Sequence, residues 1–94
     1  MNVPDPQSRP ALAPRVRLQT DPVTGEPVLL YPEGLLVLNP TAHEIVTRCD
    51  GKISVEGLIR VLCDEYEESE ETLRRDVLET LADLQQRNLI VLAP

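Results

Sequence analysis

Few side chains of this chain are equipped for chemistry, and their spacing does not gather them. His43 is the only histidine, and the nearest thiol, Cys49, follows six residues later, a separation that belongs to no common zinc pattern. On a helix His43 falls between the inward positions Ala42 and Ile45, which makes it a solvated imidazole. Cys49 and Cys63 stand on predicted helices beside apolar neighbours and read as small buried hydrophobes, not as a disulfide pair. There is no Gly-rich phosphate loop, no Cys-x-x-Cys, and no nucleophile with a recognisable base. The residues thus offer no catalytic constellation, no metal set and no implied cofactor. The acidic run Asp64-Glu65-Tyr66-Glu67-Glu68-Ser69-Glu70-Glu71 lacks the Gly and the ligand spacing of a calcium loop, and reads as a solvated connection whose carboxylates favour the next helix N-terminus. Arg74 and Arg75 interrupt that field. Either they form i,i+4 pairs with Glu70 and Glu71, worth about 0.2–0.5 kcal/mol each, or one of them lines a groove between the third helix and the third strand and meets a ligand carboxylate.

The scaffold for these residues is small. Ninety-four residues make one domain with little room for a deep pocket. With no Phe or Trp and only Tyr31 and Tyr66 aromatic, the core must be aliphatic and stacking on bases is hardly available. A formal charge of −7 repels a phosphate backbone, so nucleic acid is a poor partner and a protein or peptide a better one. No run approaches the ~18 apolar residues of a membrane span. The first residues lack a basic segment followed by an apolar one, and with two unpaired thiols this sets the expectation of a cytoplasmic protein.

Residues 1–14, with Pro4, Pro6, Pro10 and Pro14, are expected to form a flexible or extended, Pro-rich arm, and residues 15–94 a single domain. Arg15-Val16-Arg17-Leu18-Gln19 alternates with period two as a half-buried strand does. Asp21-Pro22 and Thr24-Gly25 supply a turn, Val28–Tyr31 a second strand, Pro32-Glu33-Gly34 a second turn, and Leu35–Leu38 a third strand. Three helices follow. Asn39 caps the first, Pro40 is tolerated in its first turn, and Thr41 with Glu44 matches a capping box. Asp50-Gly51 stops that helix. Ser54 caps the second, whose Val55, Leu58, Ile59, Leu62, Cys63 and Tyr66 give the strongest period in the chain. The third runs from near Ser69 to Arg87, Asn88 suits a left-handed cap, and Leu89–Leu92 packs back as a tail or short strand. The fold class is α+β: an N-terminal three-stranded antiparallel meander followed by a three-helix bundle, winged-helix-like with its sheet moved to the front.

Within that order the third strand is the functional candidate. A meander leaves two edges, and Leu35-Leu36-Val37-Leu38 contains no Lys, Pro or bulge to blunt one. Such an edge is covered by the N-terminal arm, by a second subunit, or by a peptide added as a strand. A winged-helix DNA-binding regulator and a structural homo-oligomer, with the edge paired to its own copy, remain as rival readings.

The chain resembles the PqqD family of pyrroloquinoline quinone biosynthesis, and with it the precursor-peptide recognition domains of modified ribosomal peptides. The resemblance spans about Arg15 to Val91. It rests on Pro14-Arg15-Val16-Arg17, on Val28-Leu29-Leu30-Tyr31-Pro32-Glu33 leading into Leu35–Leu38, on Asn39 to Ala42 with Glu44-Ile45-Val46, on Arg48-Cys49-Asp50-Gly51, and on Asp83-Leu84 with Asn88-Leu89-Ile90. Asn88 stands where a Gly is common. The resemblance implies a non-catalytic peptide chaperone that binds the precursor peptide PqqA and presents it to the radical SAM enzyme PqqE. By element, it places the peptide against Leu35, Leu36, Val37 and Leu38, with Arg74, Arg75 and Leu78 of the third helix on the opposite wall. Whether the edge also serves a homodimer is left open.

Overall fold

The computed structural model describes residues 4–93. Three strands form the expected meander: β2 (Arg17–Thr20), β3 (Pro27–Tyr31) and β4 (Gly34–Val37), antiparallel in the order β2-β3-β4. The first of these starts later than its alternation suggests, because Arg15 takes φ 72° and breaks the extended run. Leu38 lies just past β4, yet its N–H still donates to the Pro27 carbonyl at 3.0 Å.

The described part of the expected arm is not free. Arg9–Leu12 forms β1, paired antiparallel with β5 (Ile90–Ala93), so the C-terminal segment is a strand and not merely a packed tail. Proline there is tolerated because the pair has only two strands, and Pro10 is fully buried. Farther back, the Ser8 and Pro6 carbonyls accept from Val55 N–H at 2.9 Å and Glu56 N–H at 3.0 Å, which satisfies donors of the second helix's first turn. Tertiary hydrogen bonding thus holds the described part of this segment, whose prolines give it little local structure of its own. Met1 to Val3, the rest of that arm, lie outside the described residues.

The helices are α1 (Pro40–Val46), α2 (Val55–Glu65) and α3 (Glu70–Gln86). Each begins on the residue its sequence marks. Asn39 Oδ1 accepts from Ala42 N–H at 2.7 Å, Ser54 Oγ from Gly57 N–H at 3.0 Å, and Ser69 Oγ from Thr72 N–H at 3.2 Å. Because Asn39 takes the first cap, the Thr41/Glu44 capping box is not used, and Glu44 instead accepts from Arg48 at 3.2 Å. Cys49 sits beyond α1 in a turn, where Gly51 at φ 78° swings the chain so that its N–H reaches the Pro10 carbonyl. At the far end of α3, Asn88 at φ 63° lets the Leu89 N–H return to the Leu84 carbonyl at 2.9 Å.

The core is aliphatic throughout. Leu29 from β3, Leu38 after β4, Ile45 and Val46 of α1, Val55, Leu58, Ile59 and Leu62 of α2, and Leu73, Val77, Leu81 and Leu84 of α3 bury one continuous cluster, closed by Leu89 and Ile90. The α3 helix packs on α2 and β5. Among the described residues no helix is long and apolar enough to cross a membrane.

Candidate functional site

The hydrogen-bond phase of β4 decides what its edge offers. Val28 pairs with Val37, Leu29 with Leu36, and Leu30 with Leu35. In an antiparallel ladder, bonded pairs alternate with non-bonded ones. The bond from Leu38 to Pro27 makes that pair a bonded one, so Leu36 with Leu29 is bonded and Leu35 and Val37 fall in the non-bonded positions. The N–H and C=O of Leu35 and Val37 therefore point away from β3. Among the described residues no strand lies on that side.

The side chains alternate in step. Leu36 is half-buried against the core and Leu38 is buried, while Leu35 and Val37 are 50% and 53% exposed on the other face. There they share an apolar strip with Leu30 and Val28. The edge thus combines free backbone groups with apolar side chains on both faces.

Opposite this edge runs α3, and two clefts fix their relative direction. One, of about 290 Å³, is lined by Asn39 and Thr41, past the end of β4, and by Asp76, Glu79 and Thr80. The other, of about 450 Å³, is lined by the Pro14–Val16 turn, the Tyr31–Glu33 turn before β4, and Arg87 to Leu89. The ends correspond in reverse order, so α3 runs antiparallel to β4. The α3 flank that reaches both clefts thus runs alongside β4. That flank carries Asp76, Thr80, Asp83 and Arg87 at i, i+4, i+7 and i+11, and Arg87 Nε donates to Asp83 Oδ2 at 3.0 Å.

The residues singled out on α3 from sequence are placed differently. Arg74 donates from both terminal nitrogens to the Glu56 carboxylate on α2, at 2.8 and 2.7 Å, and from Nη2 to Glu70 at 3.2 Å. These hydrogen bonds, Glu56 first, push the guanidinium still further above its ordinary pKa. The same contact holds the Glu56 carboxyl below the usual range. Arg74 thus has its carboxylates within the fold, on the α3 flank that faces α2. The Glu70–Arg74 pair expected from spacing is present; Arg75 is 65% exposed and has Asp76, at 4.0 Å, as its acidic neighbour. Leu78, one turn on from Arg74, shares that flank and packs half-buried against the core. On α3 the clefts beside β4 are thus lined by Asp76, Glu79, Thr80 and Arg87, and Arg74 and Leu78 lie on the other flank. Sequence reading does not single these out, because α3 has two polar flanks beside its buried stripe, and periodicity does not say which one faces the sheet.

The remaining chemistry-bearing groups stand apart. His43 is half-buried on α1. Burial, and next the charge of Asp50, push the Cys49 thiol up to about 12. No group of three or more His, Cys, Asp or Glu side chains with metal-holding geometry occurs among the described residues. The arrangement can bind an extended chain; it does not assemble acid, base and nucleophile.

Comparison with known proteins points the same way. A protein from Xanthomonas oryzae pv. oryzae known as PqqA binding protein is 36% identical over 83 residues, covering 88% of this chain and 90% of its own. A namesake from Azotobacter vinelandii is 36% identical over 83 residues, with 88% and 89% covered. The solution structure of the PqqD part of Methylobacterium extorquens PqqCD, a stand-alone recognition element for ribosomally made, modified peptides, superposes with a TM-score of 0.74 at 30% identity, covering 87% of each chain. A lasso peptide synthetase B1 solved with its leader peptide superposes with a TM-score of 0.75 at 26% identity, over 88% of this chain and 98% of that one. An open strand edge beside a helical groove is thus carried on a fold shared with peptide-recognition domains, and residues 26–90 match the family model for coenzyme PQQ synthesis protein D: the chain belongs to the PqqD family.

Proposed function

We propose that this protein is a non-catalytic adaptor of pyrroloquinoline quinone biosynthesis that binds the precursor peptide PqqA as an added strand on β4 and holds it for the radical SAM enzyme PqqE, in the cytoplasm. The observation that carries this reading is the outward set of N–H and C=O groups at Leu35 and Val37, unblocked by Lys, Pro or bulge. Two residues exchanging both bonds with a peptide give four backbone hydrogen bonds. At about 0.5–1.5 kcal/mol net each, they supply roughly 2–6 kcal/mol before the cost of association. That part is neutral to sequence. Selectivity comes from side chains of the added strand, which alternate between the Leu36/Leu38 side in the groove and the Leu35/Val37 side.

The helix that a winged-helix regulator would present carries Glu70, Glu71, Asp76, Glu79 and Asp83 against Arg74 and Arg75, which repels phosphates and leaves a DNA-binding role without support. Titration of isotope-labelled protein with synthetic PqqA, followed by amide shifts, tests the peptide reading. Shifts should concentrate at Leu35–Leu38 and along the Asp76–Arg87 stripe. A response confined to α2 or the β1–β5 pair would refute it. Light scattering with and without saturating peptide examines the oligomer in parallel: loss of a dimer on peptide addition means that copy and peptide use one edge, and a persistent dimer means separate surfaces. Addition of PqqE to the peptide complex should yield a ternary species by the same measurement.

A further inference from the structure

Arg15 and Asn88 are the non-glycine residues of positive φ, at 72° and 63°, among those described, and both line the same cleft of about 450 Å³. Left-handed backbone is unfavourable for a side chain such as Arg's, and it persists where surrounding bonds hold it. Here they do: Val16 N–H donates to the Ala13 carbonyl at 3.1 Å, and Ala13 N–H to the Leu89 carbonyl at 3.0 Å, hooking the turn onto the end of α3. The result brings Arg15 and Arg87 to one cavity with Tyr31, at a point where a chain of net charge −7 has little cationic surface. Arg87 is partly engaged by Asp83, while Arg15 makes no ion pair among the described residues. Glu33 is the acidic residue of the lining. The opposite cleft, at the far end of the β4–α3 groove, holds Asp76 and Glu79 and no cation.

We propose that the Arg15/Arg87 cleft is a carboxylate-receiving subsite, filled by an acidic side chain of the bound peptide where that peptide runs past the Gly34 end of β4. This rests on the peptide-binding reading above and adds to it a position where side-chain charge, not backbone, is read. A guanidinium presents paired N–H donors that match a carboxylate, and the Tyr31 hydroxyl and Asn88 amide add neutral donors on the same walls.

The test uses the full chain and synthetic PqqA peptides in which each acidic residue in turn is replaced by its amide. Affinity is measured for the wild type, Arg15→Gly and Arg87→Gln. One acidic position should weaken wild-type binding at least fivefold when amidated; Arg15→Gly should lose a similar factor, and combining the two changes should cost nothing further. Glycine accepts φ 72° freely, so Arg15→Gly should keep or raise the melting temperature. A lowered melting temperature with unchanged affinity would make Arg15 a merely structural residue and overturn the subsite. So would an amide scan flat within twofold, which leaves strand addition standing. If PqqA does not bind at all, the peptide reading falls, and the cleft is judged by N-acetylglutamate α-amide against its glutamine counterpart. Shifts at Arg15 and Asn88 with the first alone support the carboxylate site, and equal or absent shifts overturn it.

Discussion

Proline at position 37 separates binding from folding, because the Val37 N–H belongs to the open edge and not to the β3–β4 ladder. The phase is set by Leu38 N–H donating to Pro27, which places the Leu36 donor toward β3 and the Val37 donor away from it. Val37→Pro removes no ladder bond, and its side chain is already 53% exposed, so the fold should lose less than about 1 kcal/mol. Bound peptide would lose one backbone hydrogen bond, about 0.5–1.5 kcal/mol net, and its carbonyl would be left facing a proline ring, a penalty of about 1–3 kcal/mol. The two overlap, and a combined loss of about 1.5–3 kcal/mol corresponds to a roughly 10- to 150-fold weaker affinity. Leu36→Pro is the control. It deletes the donor to Leu29, the fully buried centre of β3, and disturbs a half-buried side chain, so it should unfold or severely destabilise the protein. Fluorescence anisotropy with labelled PqqA gives the affinity, and thermal melting by circular dichroism gives the stability. Wild-type affinity in Val37→Pro, or a melting temperature as low as that of Leu36→Pro, would refute the assigned hydrogen-bond phase and with it strand addition at β4.

Three further outcomes follow from local geometry. Asn39→Ala removes the acceptor for Ala42 N–H and should cost about 1 kcal/mol, a fall in melting temperature of about 4–8 °C for a domain of this size, read by calorimetry. Because Arg74's hydrogen bond holds the Glu56 carboxyl below its unfolded value, that pair stabilises the fold above the unfolded carboxyl pKa and stops doing so as pH falls through the folded one. Glu56→Gln should therefore flatten the acid limb of melting temperature against pH below about 4.5, and an unchanged slope would show that the pair is not coupled to folding. With its pKa pushed up to about 12 by burial, Cys49 should resist a thiol reagent at pH 8 in the native state, whereas half-buried Cys63 reacts first. Mass-spectrometric mapping of the labelled residue distinguishes them.

Much of the architecture is legible in one sequence because it is locally coded. Asn39, Ser54 and Ser69 each supply the oxygen that a helix start needs, and all three are used. Three short apolar runs separated by tight turns pair most readily as neighbours, so the meander follows from spacing. What orders the N-terminal segment is not legible in the sequence, for the opposite reason. Proline content reports what a segment cannot do alone, whereas Arg9–Leu12 is ordered by the carbonyls and donors of Ile90–Ala93, which lie at the other end of the chain. The same limit governs the site. Residue types alone marked Leu35–Leu38 as a strand with an unblunted edge, since strand, turn and apolar pattern are all written within a few positions. Which of its donors are free depends on pairing register, and which flank of α3 faces it depends on how α3 seats on α2 and β5; that packing sends Arg74 to Glu56 and turns Asp76, Thr80, Asp83 and Arg87 toward the groove. A repeat of 3.6 residues names the buried stripe of a helix but treats its two polar flanks alike, and only the packed neighbours break that symmetry.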